Sequence, residues 1–262
     1  SIAPKGGVND IQEQFSRTRE AIKGISHFID KGYNLCLNHG NGPQVGNELM
    51  RMELSKDVVP PLPLGVCVAS TQGSIGYMIQ QSLQNKLREM KIDREVVTMI
   101  SQVLVQNDDP SFKTPHKFVG NRYNKTESDE LRKEYGWTFK EQDTNEFRRV
   151  VPSPMPEYLM HGKSIKALVD RGTIVIATGG GGIPVYNDSD GNITGLDAVI
   201  DKDYSAAKMG RIIRAQELWI ITDIDCVYVG FGSAKQKRIT TIKASEIEKL
   251  YQKGEFQKGS IA

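Results

Sequence analysis

Apolar positions recur along the chain in two alternating rhythms. Over residues 10–31, Ile11, Phe15, Ile22, Ile25 and Ile29 fall at helical spacing, which predicts an amphipathic helix. The run YNLCLNH (33–39) is short and continuously apolar at its centre, the pattern of a buried strand. The same alternation returns with a helix over 74–91 and a strand-like run at REVVTMISQVLV (94–105). In the second half, KSIKALVDRG predicts a helix closed by Gly172, and TIVIAT a strand. DYSAAKMGRIIRA predicts another helix, and ELWIITDIDCVYV (217–229) a strand and its exit. Helices alternating with apolar strands predict an α/β fold with a mostly parallel sheet covered on both faces. Ligands of such sheets sit beyond the carboxyl ends of the strands.

Residues 107–150 break the rhythm: they are polar, charged and dotted with aromatics. A stretch of that length is too long for a structureless loop and predicts a small protruding subdomain or lid. The proline-rich PSPMPEY (152–158) then reads as a joint between an N-terminal lobe, 1–106, and a C-terminal lobe, 151–262.

Composition narrows the classes. Lys and Arg number 34 against 32 Asp and Glu, and no basic run is interleaved with aromatics, so nucleic acid is not an expected partner. No apolar run is long enough for a membrane span, and no leader pattern is visible. Cys36, Cys67 and Cys226 are odd in number and far apart in apolar contexts, which fits reduced thiols in a cytoplasmic protein.

Several familiar patterns fail on inspection. HGKS (161–164) lacks the upstream glycine of a Walker loop, where Glu157 stands instead. GNGPQVG misses the dinucleotide fingerprint by one position, and TQGSIGY is not a nucleophile elbow. The four histidines lack metal-ligand spacing, so no protein metal site is expected.

Two glycine-rich loops remain, each after a predicted strand: Gly40-Asn41-Gly42 with its following residues to Gly46, and TGGGGIPV (178–185). Glycines there bring backbone N–H groups close to an anion, though either loop alone could be a flexible turn. At AVIDKDYSAAKMG (198–210) an apolar run ends in Asp201-Lys202-Asp203 and a helix follows. A lysine held between two carboxylates could neutralise charge on a moving phosphoryl group; a surface salt-bridge cluster is the plainer alternative. ITDIDCVYVG (221–230) runs into Asp223 and Asp225 with Tyr228 beyond, either a wall for a nucleotide or an ordinary strand end.

Taken together, HGNGPQVG, TQGSIGYMIQQ, RRVVPSP, GGGGIPV and VIDKD resemble, in this order, the carbamate kinases of the amino acid kinase family. The resemblance runs from about residue 10 to the end of the sequence. It implies a three-layer αβα sandwich with a protruding subdomain, a carbamate-binding N-terminal lobe, a nucleotide-binding C-terminal lobe and a homodimer. The implied reaction is Mg²⁺-dependent, reversible phosphoryl transfer between ATP and carbamate, giving ADP and carbamoyl phosphate, and running toward ATP in arginine breakdown. Carried over, Gly40, Asn41 and Gly42 cradle carbamate and the transferring phosphoryl, and Gly180 and Gly181 hold phosphate oxygens. Lys202 would stabilise the transition state, Asp203 would orient Lys202, and Lys117 in TPHKFVG would reach in from the lid. Asp223, Asp225 and Tyr228 would face the nucleotide.

The sequence departs from the family's pattern in three places. The family's opening strand ends in Gly-Gly-Asn, which would lie before Ser1, and its Pro-Lys would lie after Ala262, so the sequence reads as trimmed at both ends. DTNEFRR (143–149) stands where Gly-Arg-Gly-Trp-Arg is usual. A sibling kinase acting on a longer carboxylate such as acetylglutamate, or a non-catalytic nucleotide sensor of the same fold, are the other readings.

Overall fold

The structure is a computed structural model that describes residues 10–222, 226–233 and 236–256. It divides into two compact units, one running through Leu218 and the other beginning at Trp219.

The first unit opens with α1 (Ile11–Asp30), β1 (Cys36–Leu37), α2 (Gly42–Ser55), α3 (Leu64–Glu89), β2 (Val96–Thr98) and β3 (Gln102–Leu104). An arm follows: β4 (Lys117–Tyr123), α4 (Lys125–Tyr135), β5 (Thr138–Asp143) and β6 (Glu146–Val151). The chain returns through β7 (Tyr158–Leu159), α5 (Gly162–Asp170), β8 (Ile174–Ile176), β9 (Ile183–Asn187), β10 (Ile193–Gly195) and α6 (Lys202–Ile213). The second unit holds an antiparallel hairpin, β11 (Val227–Val229) with β12 (Lys237–Ile239), and α7 (Ala244–Gln252).

The central sheet has the order β1-β8-β2, all parallel, with Val175 opposite both Cys36 and Val97. The two-residue side-chain period of β8 explains the layering. Ile174 and Ile176 face one way, into a core with Ile22, Ile25 and Ile29 of α1 and Leu83 and Leu87 of α3. Val175 and Ala177 face the other way, toward Ile165 and Val169 of α5 and Met209 of α6. Each such side chain, fully buried, contributes about 1.5–3 kcal/mol relative to exposure. The result is the expected α/β arrangement, helices on both faces of a parallel sheet.

A second sheet, β10-β9-β3-β7, is parallel only at β3–β9. The arm is an antiparallel sheet, β4-β6-β5, with α4 beside it. Its ladder slips between Val119 and Arg122, where Gly120 takes φ +71°. The arm seats on α2 through a shared cluster of Val45, Leu49, Val119 and Val151. Its backbone comes so close that a Cβ on Gly46 would lie 3.8 Å from Gly120 Cα.

Three local expectations shift. The helix expected from residue 74 starts at Leu64, because Gly73 and Gly76 do not break it; at Gly76 the side chain of Thr98 fills the space a Cβ would need. The strand expected over 94–105 is two strands in different sheets, parted where Ser101 gives its N–H to the side chain of Gln72. The run 217–222 forms no strand among the described residues; Leu218, Trp219, Ile220 and Ile221 are all more than half exposed. Apolar content makes a strand only where a neighbour supplies a ladder.

Candidate active site

Because β1 and β8 are parallel neighbours, the loops leaving their carboxyl ends emerge side by side. The first passes through Asn38, His39, Gly40 and Asn41 into α2, with Pro43 in its opening turn. The second passes through Thr178 into the tight turn Gly179–Gly181. They interlock directly. Gly180 donates its N–H to the His39 carbonyl at 2.7 Å, and Asn38 Nδ2 donates to the Thr178 carbonyl at 2.7 Å.

A Cβ at any of these glycines would force a neighbour to shift. A Cβ on Gly179 would lie 2.3 Å from His39 Nε2, and one on Gly180 2.2 Å from Asn41 Nδ2. A Cβ on Gly181 would lie 2.4 Å from the Ile200 carbonyl oxygen, and there φ is +91°. The four-glycine run is therefore close-packed against the side chains of His39, Asn41 and Val103 and the Ile200 carbonyl.

Side chains that sequence reasoning did not single out hold the loops from behind. Gln72, 1% exposed on α3, donates to the carbonyls of Gly179 (2.9 Å) and Ser101 (3.2 Å) and accepts from Ser101 N–H at 2.8 Å. Its neighbour Thr71 accepts from Asn41 Nδ2 at 2.9 Å. Ser205, fully buried on α6, donates to the Gly181 carbonyl at 2.6 Å. A signal for the α3 pair was present: Thr71 and Gln72 share the apolar face of Leu64, Val68 and Ile75, and a polar group on a buried face needs a specific partner.

Asn41, whose amide donates to Thr71, gives α2 no side-chain cap, so the N–H groups and positive dipole end of its first turn have no side-chain acceptor there. α6 is different: Asp201 caps it, with Oδ1 accepting from Asp203 N–H at 3.0 Å.

Four charges gather at this helix start. Lys202 Nζ pairs with Asp203 Oδ1 at 2.8 Å, and its stem passes 3.7 Å from where a Gly40 Cβ would stand. Lys117, the first residue of the arm sheet, pairs through Nζ with Asp201 Oδ2 at 2.9 Å. Lys202 is thus not gripped by both flanking carboxylates; Asp201 turns to a lysine 84 residues earlier. Half-burial alone would push the Asp201 carboxyl up, but the Lys117 ammonium, the Asp203 N–H and the Lys202 charge outweigh it, so its pKa lies below the ordinary value. Burial lowers the pKa of His39, keeping the imidazole neutral near pH 7, with Nδ1 3.1 Å from the Gly40 carbonyl.

One neighbourhood therefore gathers Gly40, Asn41, Gly42, Gly180, Gly181, Lys202, Asp203 and Lys117. Tyr228 is on β11 in the second unit, its ring 5.9 Å from that of Phe231. Asp223 and Asp225 lie outside the described residues. Among the described residues, no group of three His, Cys, Asp or Glu could hold a metal, and no helix is long and apolar enough to cross a membrane. All three cysteines are free; burial pushes the Cys36 thiol up to about 12 and Cys67 to about 11, so both stay protonated.

Residues 5–262 match the amino acid kinase family. A carbamate kinase of Pyrococcus horikoshii is 41% identical across the whole chain, which spans 83% of that protein. Carbamate kinase 2 of Staphylococcus epidermidis is 41% identical over 95% of the chain and 81% of its own length. Among solved structures, the carbamate kinase of Giardia lamblia bound to AMP-PNP superimposes with a TM-score of 0.92 at 33% identity, covering 99% of this chain and 82% of that one.

Proposed function

The chain belongs to the amino acid kinase family, and from that premise we propose that it is a carbamate kinase, moving a phosphoryl group reversibly between ATP and carbamate. The observation that carries the reading is the convergence of both glycine loops on the start of α6, with Lys202 and Lys117 beside them. Carbamate is already an anion with a nucleophilic oxygen, so transfer needs positioning and charge neutralisation rather than a general base. The neutral His39 is consistent with that economy.

In this reading the backbone of Gly40, Asn41 and Gly42 and the uncapped start of α2 hold carbamate and the transferring group. Gly180 and Gly181 approach the nucleotide phosphates. Lys202 and Lys117 turn their remaining ammonium N–H donors to phosphoryl oxygens, and Asp203 keeps Lys202 aimed. Asp223, Asp225 and Tyr228 are assigned to the nucleotide. Magnesium, which supplies charge neutralisation on the phosphates, fits as an ion carried in by ATP. It is usually bound by one or two carboxylates together with phosphates and water, and Asp203 is the carboxylate at hand. The 107–150 segment acts as the lid, in a cytoplasmic homodimer. Leu54 and Val58, 83% and 87% exposed, offer apolar surface for a second copy.

A coupled assay with ADP, carbamoyl phosphate and Mg²⁺ should show ATP formation, with none from acetylglutamyl phosphate; the reverse result would assign the chain to the sibling kinase. Lys202→Ala should lower turnover about 100- to 1,000-fold with little change in the Michaelis constant for ADP. A rise in that constant alone would make Lys202 a binding group.

A further inference from the structure

We propose that Asp201 is the positioning residue for Lys117: one carboxylate both starts α6 and fixes where the arm delivers its ammonium. The inference rests on the carbamate kinase reading and adds a residue that the reading leaves idle.

The two oxygens of Asp201 have separate tasks. Oδ1 accepts from Asp203 N–H at 3.0 Å, so the carboxylate is anchored to the first turn that carries Lys202 and Asp203. Oδ2 is left pointing at Lys117 Nζ, 2.9 Å away. The backbone of Lys117 is already fixed, since it pairs with Val151 where the arm's sheet enters and leaves the body of the unit. Its side chain is not fixed by that pairing. A lysine stem has four rotatable carbons and rests in many positions unless something holds its end. Asp201 supplies that hold, and the carboxylate is itself favoured at a helix start.

The charges then balance in pairs, Lys117 with Asp201 and Lys202 with Asp203, on adjacent residues of one turn. A phosphoryl group arriving between the glycine loops meets two ammonium groups already placed by the same half-turn of backbone. Without Asp201 the arm's lysine would have to be found and ordered during each turnover, which costs rate rather than binding.

Asp201→Asn separates the two tasks, because asparagine caps helices about as well as aspartate but lacks the charge. The expected result is a melting midpoint lowered by no more than about 2–4 °C, the share of the lost charge, with an ADP Michaelis constant within about twofold and a kcat about tenfold lower. The same substitution in a Lys117→Ala background should change kcat by less than about twofold, because the residue acts through Lys117. Equal losses in both backgrounds, or an undiminished kcat in the single variant, would overturn the proposal. Nitrogen NMR of the lysine ammonium groups, assigned with Lys117→Arg, needs no substrate and so is independent of the assigned reaction. Lys117 should give a restrained signal in the parent that becomes mobile in Asp201→Asn; identical signals would also overturn it.

Discussion

The two glycine loops and the arm of residues 117–151 meet at the same four charges but are held there by different forces. The loops are fixed by neutral hydrogen bonds from side chains with almost no exposure: Gln72, Thr71 and Ser205. The arm has an apolar seat on α2, but its polar ties involve charged groups that are partly or fully exposed. Lys56 pairs with Glu134, the Tyr123 hydroxyl donates to Glu53, and Lys117 pairs with Asp201. Buried bonds of the first kind are costly to break and insensitive to salt. Charged ties of the second kind respond to salt and to pH as the neutral buried bonds do not. In the proposed reaction, phosphates must be held still yet admitted and released, which calls for one wall of each kind.

The largest test of this contrast falls on the loops. Gly181→Ala adds a Cβ against the Ile200 carbonyl in a backbone conformation that alanine avoids. It should destabilise the unit by on the order of 4 kcal/mol, read from urea unfolding. A loss below 1 kcal/mol would mean the loops yield as easily as the arm. Gln72→Met keeps the volume but strands the Ser101 N–H, while the Gly179 and Ser101 carbonyls keep the N–H groups of Gly182 and Ile183; it should cost about 1–3 kcal/mol.

Acid should separate the regions next. Asp201 lies below its ordinary pKa, burial notwithstanding, through Lys117, Asp203 N–H and Lys202; Glu134 lies below its own chiefly through Lys56. Groups so lowered contribute stability that is fully present above the ordinary carboxylate pKa of about 4 and is lost as pH falls through the lowered values. Hydrogen exchange corrected for intrinsic rates should therefore speed up in β4 and β6 below pH 4, before it does in α3. Simultaneous loosening would remove the distinction. The smallest effect is expected from Lys56→Ala, which should leave the unfolding midpoint unchanged within error at 0.5 M salt, since that pair is exposed on both sides.

Much of this site is written locally. Gly40-Asn41-Gly42, the run at 179–182 and Asp201-Lys202-Asp203 each follow an apolar strand or run, and strand ends are where an α/β sheet presents ligands. What was not legible is pairing across distance. Nothing near Lys117 in the chain announces Asp201, and symmetry of sequence suggested that Lys202 would sit between its two neighbours. Geometry at a helix start decides otherwise, because the cap turns one oxygen of Asp201 back onto Asp203 N–H and aims the second elsewhere. Gln72 was hidden for another reason: in a helix of 26 residues it reads as one polar position among many until its face is known. The run at 217–222 shows the converse, apolar residues without a ladder.

The strand order β1-β8-β2 also bears on how the protein is born. The middle strand is the last of the three to leave the ribosome, after 36–37 and 96–98 are already out. Until 174–176 emerge, both outer strands lack their shared neighbour, and α1 and α3 have no sheet to cover. At ordinary rates of synthesis that interval after β2 lasts roughly 5–15 s. The two glycine loops cannot meet sooner, since the bond from Asn38 to Thr178 spans 140 positions. Nascent chains stalled before β8 are therefore the natural clients of a chaperone, and the two glycine loops interlock only after Thr178 has emerged.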